Sequence, residues 1–233
     1  MTGGGPEPHE RLISILQPNV LAGEGIEEVR FFAALLSYMG IEPLRELPRG
    51  GRIVGEIQLL PVGGREQCRA KLKALAQTPG FANVQSLGIV READTDPDAT
   101  FRSVCDALKA ASLAAPEHPL IPAGQNPQLA VIILPNHNTP GMLENLCLQV
   151  VNGDPAVPCK ESYFDSLQAK GLSVSNAGAK ARVQTFLASR DRPGLRLGEA
   201  AEAGYWPWRH EAFSPVKEFL CNLFDLNPNA SGA

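Results

Sequence analysis

The chain has 233 residues, 44% hydrophobic and 20% charged, with a formal net charge of -4. That composition supports a packed core and excludes a wholly disordered chain. The net acidity argues against a dedicated duplex binder, whose affinity comes from neutralising phosphates. No apolar run reaches the roughly 18 residues of a membrane-spanning helix, and residues 1–10 lack the basic start and apolar centre of a secretory signal. The five cysteines are widely spaced and odd in number, which suits neither a disulfide framework nor a CxxC zinc site. The expected location is the cytoplasm, with no membrane partner.

Residues 1–10 and 226–233 read as loose ends rich in Gly, Pro, Asn and Ala. Asn19 to Ala22 is a short apolar strand closed by Gly23-Glu24-Gly25. From Glu27 the apolar residues Val29, Phe32, Leu36 and Met39 recur at helical spacing until Gly40 stops them. Ile53 to Val62 reads as one strand ending at Gly63-Gly64, followed by a helix with Cys68, Leu72 and Leu75 on one face. Val84 to Val90 is the next apolar strand. Asp96-Pro97 then supplies a helix cap and a first-turn proline for a helix carrying Phe101, Val104, Cys105 and Leu108. Residues 113–128 hold four prolines and read as a surface connection. Leu129 to Leu134 is a continuous apolar run of buried-strand type, and Met142 to Val151 a short helix. This alternation predicts an α/β fold over 1–151: a Rossmann-like, mainly parallel sheet flanked by helices. Beyond Val151 the strand signal disappears. Glu161 to Leu167, Ala179 to Ala188 and Pro215 to Leu226 show helical spacing, so 152–233 is expected to be a helical appendage packed on the sheet.

The acids fall where chemistry is expected. Glu24 ends the first strand, with Glu27 and Glu28 in the next helical turn. Glu92, Asp94, Asp96 and Asp98 follow the third strand at alternate positions. Ligands of an open parallel sheet sit beyond the carboxyl ends of its strands, and residues two apart on extended backbone face the same way, so Glu92 and Asp94 are expected to face one ion together. Converging carboxylates need a cation or protons to offset their repulsion, and an all-oxygen donor set suits Mg²⁺ or Mn²⁺. Other readings stand beside these: Glu27, Glu28 and Asp98 suit a helix dipole, and Asp96 suits an N-cap as well as a ligand. Gly63 and Gly64 can bring backbone N–H groups to a phosphate or simply make a turn. The run from Asp94 to Cys105 fails as a calcium loop, because Ala99 replaces the turn glycine and Cys105 the final glutamate. No P-loop, GxSxG, HExxH or GxGxxG motif occurs. Tyr205-Trp206-Pro207-Trp208 can stack bases or pack a core. Basic residues concentrate at Arg65, Arg69, Lys71 and Lys73, and again at Lys180, Arg182, Arg190, Arg192 and Arg196; these are the candidate phosphate contacts.

Glu24-Gly25 closing one strand, and Glu92-Ala93-Asp94 closing a later one, resemble the signature of the Toprim domains of topoisomerases, bacterial primases and overcoming-lysogenisation-defect nucleases. With Gly63-Gly64 and Pro140-Gly141-Met142-Leu143-Glu144, the series more closely resembles an uncharacterised bacterial Toprim-like family, from about Val20 to Leu226. The resemblance implies a four-stranded, mainly parallel sheet and Mg²⁺-dependent phosphodiester chemistry. It implies Glu24 as the general acid/base or a metal ligand, Glu92 and Asp94 as metal ligands, Glu144 as a further ligand or a helix-dipole partner, and Lys180 on phosphate; Asp96, from its place beyond the strand, is a further candidate ligand. Glu92 departs from the DxD pattern by one methylene. Three functions follow as expectations. One is a metal-dependent nuclease or phosphoryl-transfer enzyme on nucleic acid. The second is a non-catalytic metal- or nucleotide-binding module acting through a partner such as a separately encoded ATPase. The third is a structural protein using the Tyr205–Trp208 surface.

Overall fold

A computed structural model describes residues 14–172 and 178–227. Of the loose ends read over 1–10 and 226–233, residues 1–10 and 228–233 lie outside the described residues. The strands are β1 (Asn19–Gly23), β2 (Leu44–Glu46), β3 (Arg52–Val54), β4 (Ile57–Pro61), β5 (Ser86–Glu92) and β6 (Gln128–Leu134). The helices are α1 (Ile26–Tyr38), α2 (Arg65–Ala76), α3 (Pro97–Ala110), α4 (Leu143–Val150), α5 (Ala156–Ala169), α6 (Gly178–Ala188), α7 (Leu197–Glu202) and α8 (Ser214–Phe224). All six strands form one sheet in the order β2-β3-β4-β1-β5-β6. The block β4-β1-β5-β6 is parallel, and β2 and β3 extend it antiparallel beyond β4.

Burial on both faces explains why the parallel strands read as continuous apolar runs. Val20, Leu60, Leu87, Ile89, Val131 and Ile133 point into a layer shared with Cys68, Leu72 and Leu75 of α2 and Val104 and Leu108 of α3. Their alternates Leu21, Leu59, Val90, Ile132 and Leu134 point the other way. There they meet α1, α4, α6, α7 and α8 in one continuous cluster that includes Phe31, Phe32, Trp206 and Phe219.

Three expectations need correction. The strand read from Ile53 to Val62 is a hairpin: the chain reverses at Gly55, whose φ of +58° favours glycine, so β3 and β4 pair antiparallel. β2 and α7 carry too few residues for a period to show. The Tyr205–Trp208 cluster is no stacking surface. Trp206 is 1% exposed and its Nε1 donates to the Leu197 carbonyl at 3.2 Å, while Trp208 packs edge-on against Phe31 with ring centroids 5.1 Å apart. No helix among the described residues is long and apolar enough to cross a membrane.

Candidate active site at the carboxyl edge of the sheet

The helices around β1 change sides. α1, which follows β1, lies on one face; α2 and α3, which follow the neighbouring strands β4 and β5, lie on the other. A crevice therefore opens beyond the carboxyl ends of β1, β4 and β5, the position where open α/β sheets hold ligands. Glu24, Gly63-Gly64 and Glu92 follow or end those three strands.

Glu24 is half-buried and held on two sides. Its Oε1 lies 3.1 Å from Nη2 of Arg91 and accepts the Glu92 backbone N–H at 3.2 Å. Arg91, 2% exposed, also donates to the Gly63 carbonyl at 2.7 Å, so one guanidinium ties the end of β1 to the turn before α2. Burial raises the Glu24 carboxyl above the ordinary glutamate value; Arg91 and the Glu92 N–H lower it, and Glu28 and Asp94 raise it further. Gly63 has a φ of +79°, and a Cβ there would meet Gln67 Oε1 at 2.6 Å. A Cβ on Gly64, the N-cap of α2, would stand 3.7 Å from Glu24 Oε2. The carboxylate nearest this turn is thus the protein's own.

Glu92 ends β5 pointing toward the opposite face from Arg91. Its Oε1 accepts the Leu143 N–H at 3.0 Å, at the start of α4. Burial, with Glu144, Glu28 and Glu24 nearby, pushes it up to about 8 against the single relief of that hydrogen bond. Beyond it the extended backbone ends. Asp94 takes a φ of +52° and exchanges two backbone hydrogen bonds with Gly141, at 3.0 and 2.8 Å. The alternation that would face Glu92 and Asp94 the same way is therefore interrupted, and Asp94 is exposed. The same contacts bring 92–94 and 140–144 together, two motifs about fifty residues apart in the chain.

Glu144 is half-buried; burial raises its carboxyl, nearby Lys180 lowers it, and Glu28 and Glu27 raise it. Lys180, exposed at the start of α6, is thus brought to this edge. Asp96 is not brought in: its carboxylate accepts the Ala99 N–H at 2.9 Å as the N-cap of α3, which corrects the expectation that it ligates a metal. Glu27 is also engaged elsewhere, accepting the Gly198 N–H at 2.7 Å. Glu28 accepts the Gly25 N–H at 2.8 Å, yet its charge bears on Glu24, Glu92 and Glu144. Arg91 is the site residue missing from the sequence reading, in which Glu28 suits the helix dipole. Arg91 had one signal, a charge at an inward position of a buried strand.

Every available donor here is a carboxylate oxygen, which fits a hard divalent cation. Burial is the main cause of the raised Glu24, Glu92 and Glu144 carboxyls, and the neighbouring carboxylates add to it. Among the described residues, no three His, Cys, Asp or Glu groups stand close enough to hold an ion as placed. An ion held by three of these groups would need their side chains to rotate.

No curated protein matches the chain significantly. Among solved structures, it is similar to the crystal structure of hypothetical protein PH0156 from Pyrococcus horikoshii OT3. The two share 18% identity at a TM-score of 0.57, over 90% of this chain and 96% of that one, a likeness of fold. The family described as "protein of unknown function (DUF3226)" matches residues 18–225, nearly the whole described fold including the crevice and its acids, and the chain belongs to that family.

Proposed function

We propose that the protein is a Mg²⁺- or Mn²⁺-dependent enzyme of Toprim type, a nuclease or phosphoryl-transfer protein acting on nucleic-acid phosphodiesters at the β1–β5 edge. The observation that carries this reading is the crowding of carboxylates from three separate segments at the switch point of the sheet, with Glu92 pushed up to about 8. Glu92, Asp94 and Glu144 are the residues that would hold the ion. A bound divalent ion supplies charge neutralisation at a scissile phosphate and a more acidic water. Glu24 takes and returns a proton at its Oε2, the oxygen free of Arg91 and of the Glu92 N–H. Arg91 orients that carboxylate. Lys180 and the first-turn N–H groups of α2 after Gly63-Gly64 favour an incoming phosphate.

A second reading has its own support. Glu92 stands where the resemblance expects aspartate, and its carboxylate is closed onto the Leu143 N–H. Both favour a non-catalytic metal- or nucleotide-binding module that works through a protein partner such as a separately encoded ATPase.

Calorimetric titration of Mn²⁺ into the wild type and Asp94→Asn separates these readings, followed by cleavage assays on DNA and RNA. The enzyme reading expects saturable binding that Asp94→Asn loses, and metal-dependent cleavage lost with it. Binding without cleavage supports the module. Full metal-dependent cleavage by Asp94→Asn would remove the site proposed here.

A further inference from the structure

We infer that the groove between α2 and α3 is a binding track for the backbone of a single nucleic-acid strand, with Arg69 and Arg102 as its phosphate contacts. The inference rests on the phosphodiester reading above and names how the substrate is held.

The two helices follow the adjacent-but-one parallel strands β4 and β5, so both begin at the carboxyl edge of the sheet and run away from it. The groove between them is a cavity of about 380 Å³, and its lining includes Cys68, Arg69, Ala99, Arg102, Ser103 and Asp106. Its near end adjoins the acid edge. Gly64, which caps α2, neighbours Glu24, and the Cys68 thiol, raised by burial, also feels the charges of Arg91 and Glu24. Arg69 and Arg102 each occupy the second turn of their helix, one on either wall, and both are exposed. Asp106 stands one turn further from the acid edge than Arg102.

Partnering distinguishes these arginines from Arg190 and Arg182 of the other basic concentration. Arg190 makes a two-pronged contact with Asp154 at 3.0 and 2.9 Å, and Arg182 is paired with Glu161. Those guanidiniums also cover the rings of Phe186 and Phe164. Arg69 and Arg102 make no ion pair or side-chain hydrogen bond among the described residues. Their forked donors remain open to phosphate oxygens. The small side chains of Ala99, Ser103 and Cys68 let a backbone lie low between the walls. The cavity of about 380 Å³ is small enough for one backbone to fill, whereas the two backbones of a duplex, set about 12 Å apart across its major groove, would rest on the rim.

The test is fluorescence anisotropy of a labelled single-stranded oligonucleotide in chelator, where no divalent ion takes part, over a salt series. The expected result is wild-type binding that weakens at least tenfold in Arg69→Ala/Arg102→Ala. The slope of log affinity against log salt should flatten by about 0.7 for each lost phosphate contact. An Arg45→Ala/Arg209→Ala control, at two exposed arginines outside the groove, should bind as the wild type does, and thermal melts should show all variants folded. No binding by the wild type, an unchanged double variant, or equal arginine-dependent binding of the corresponding duplex would overturn the track. The metal titration is independent of these outcomes. Arginine-dependent binding without Mn²⁺ binding would leave the track and remove the hydrolytic reading; Mn²⁺-dependent cleavage that ignores both arginines would do the reverse.

Discussion

Glu92 concentrates the electrostatics of the site in one carboxyl group. It is 9% exposed, and its proton is held from the ordinary glutamate value up to about 8. Between those values the folded protein keeps a proton that the unfolded chain has released. The contribution of Glu92 to stability is therefore full below about pH 4.5 and is lost as pH rises toward 8, by an amount on the order of a few kcal/mol in metal-free protein. Glu92→Gln should remove most of that fall, with a gain in melting temperature over the wild type that grows from pH 5 to pH 9 in chelator. Thermal melts across that range check it, and parallel pH profiles would show that Glu92 is ionised at neutrality. Glu24 and Glu144, also raised, leave a smaller slope of the same sign. At this scale, strand ends made Glu24, Glu92 and Asp94 visible in the sequence. Arg91 was not visible as the partner of Glu24, because a side chain's direction at a strand end depends on which face each neighbouring helix takes.

Elements with a full period were legible. β1, β5 and β6 are buried apolar runs, and α1, α2 and α3 present apolar faces at three- and four-residue spacing. The β3–β4 reversal was not, since Gly55-Glu56 interrupts an otherwise strand-like stretch without a proline or an Asn-Gly signal. α7 was missed for another reason: its six residues are organised by contact with α1 rather than by their own pattern. Arg30 donates to Glu199 at 2.7 Å, and Gly198 sits where a Cβ would come 2.6 Å from Arg30 Cβ and 2.8 Å from the Glu27 carbonyl. In an unpacked helix Gly→Ala is stabilising by up to about 1 kcal/mol. Gly198→Ala is expected to have the opposite sign, costing about 1–3 kcal/mol as α1 and α7 are pushed apart. Denaturant midpoints decide between the signs.

Over the whole molecule, the α/β class and a C-terminal helical layer packed on the sheet could be read from the sequence, while which side chains meet in the shared core could not. Phe31 and Phe32 of α1 are buried in the same cluster as Phe186, Trp206, Phe213 and Phe219, and only tertiary packing decides that these residues meet. A chain ended at Val151 keeps all six strands, α1 and α4 yet loses the cover that α6, α7 and α8 give that face. It is expected to lack a cooperative thermal transition and to bind a dye of exposed apolar surface, where the whole chain shows a transition and little dye binding. The same shared core bears on how the protein comes into being. Ribosomes add about 5–20 residues per second, so the aromatic face of α1 leaves the exit tunnel well before α8, which closes over it. For some tens of seconds a nascent chain displays Phe31 and Phe32 with nothing to cover them. The yield of a protein so arranged should respond to the speed at which the last third of its message is read.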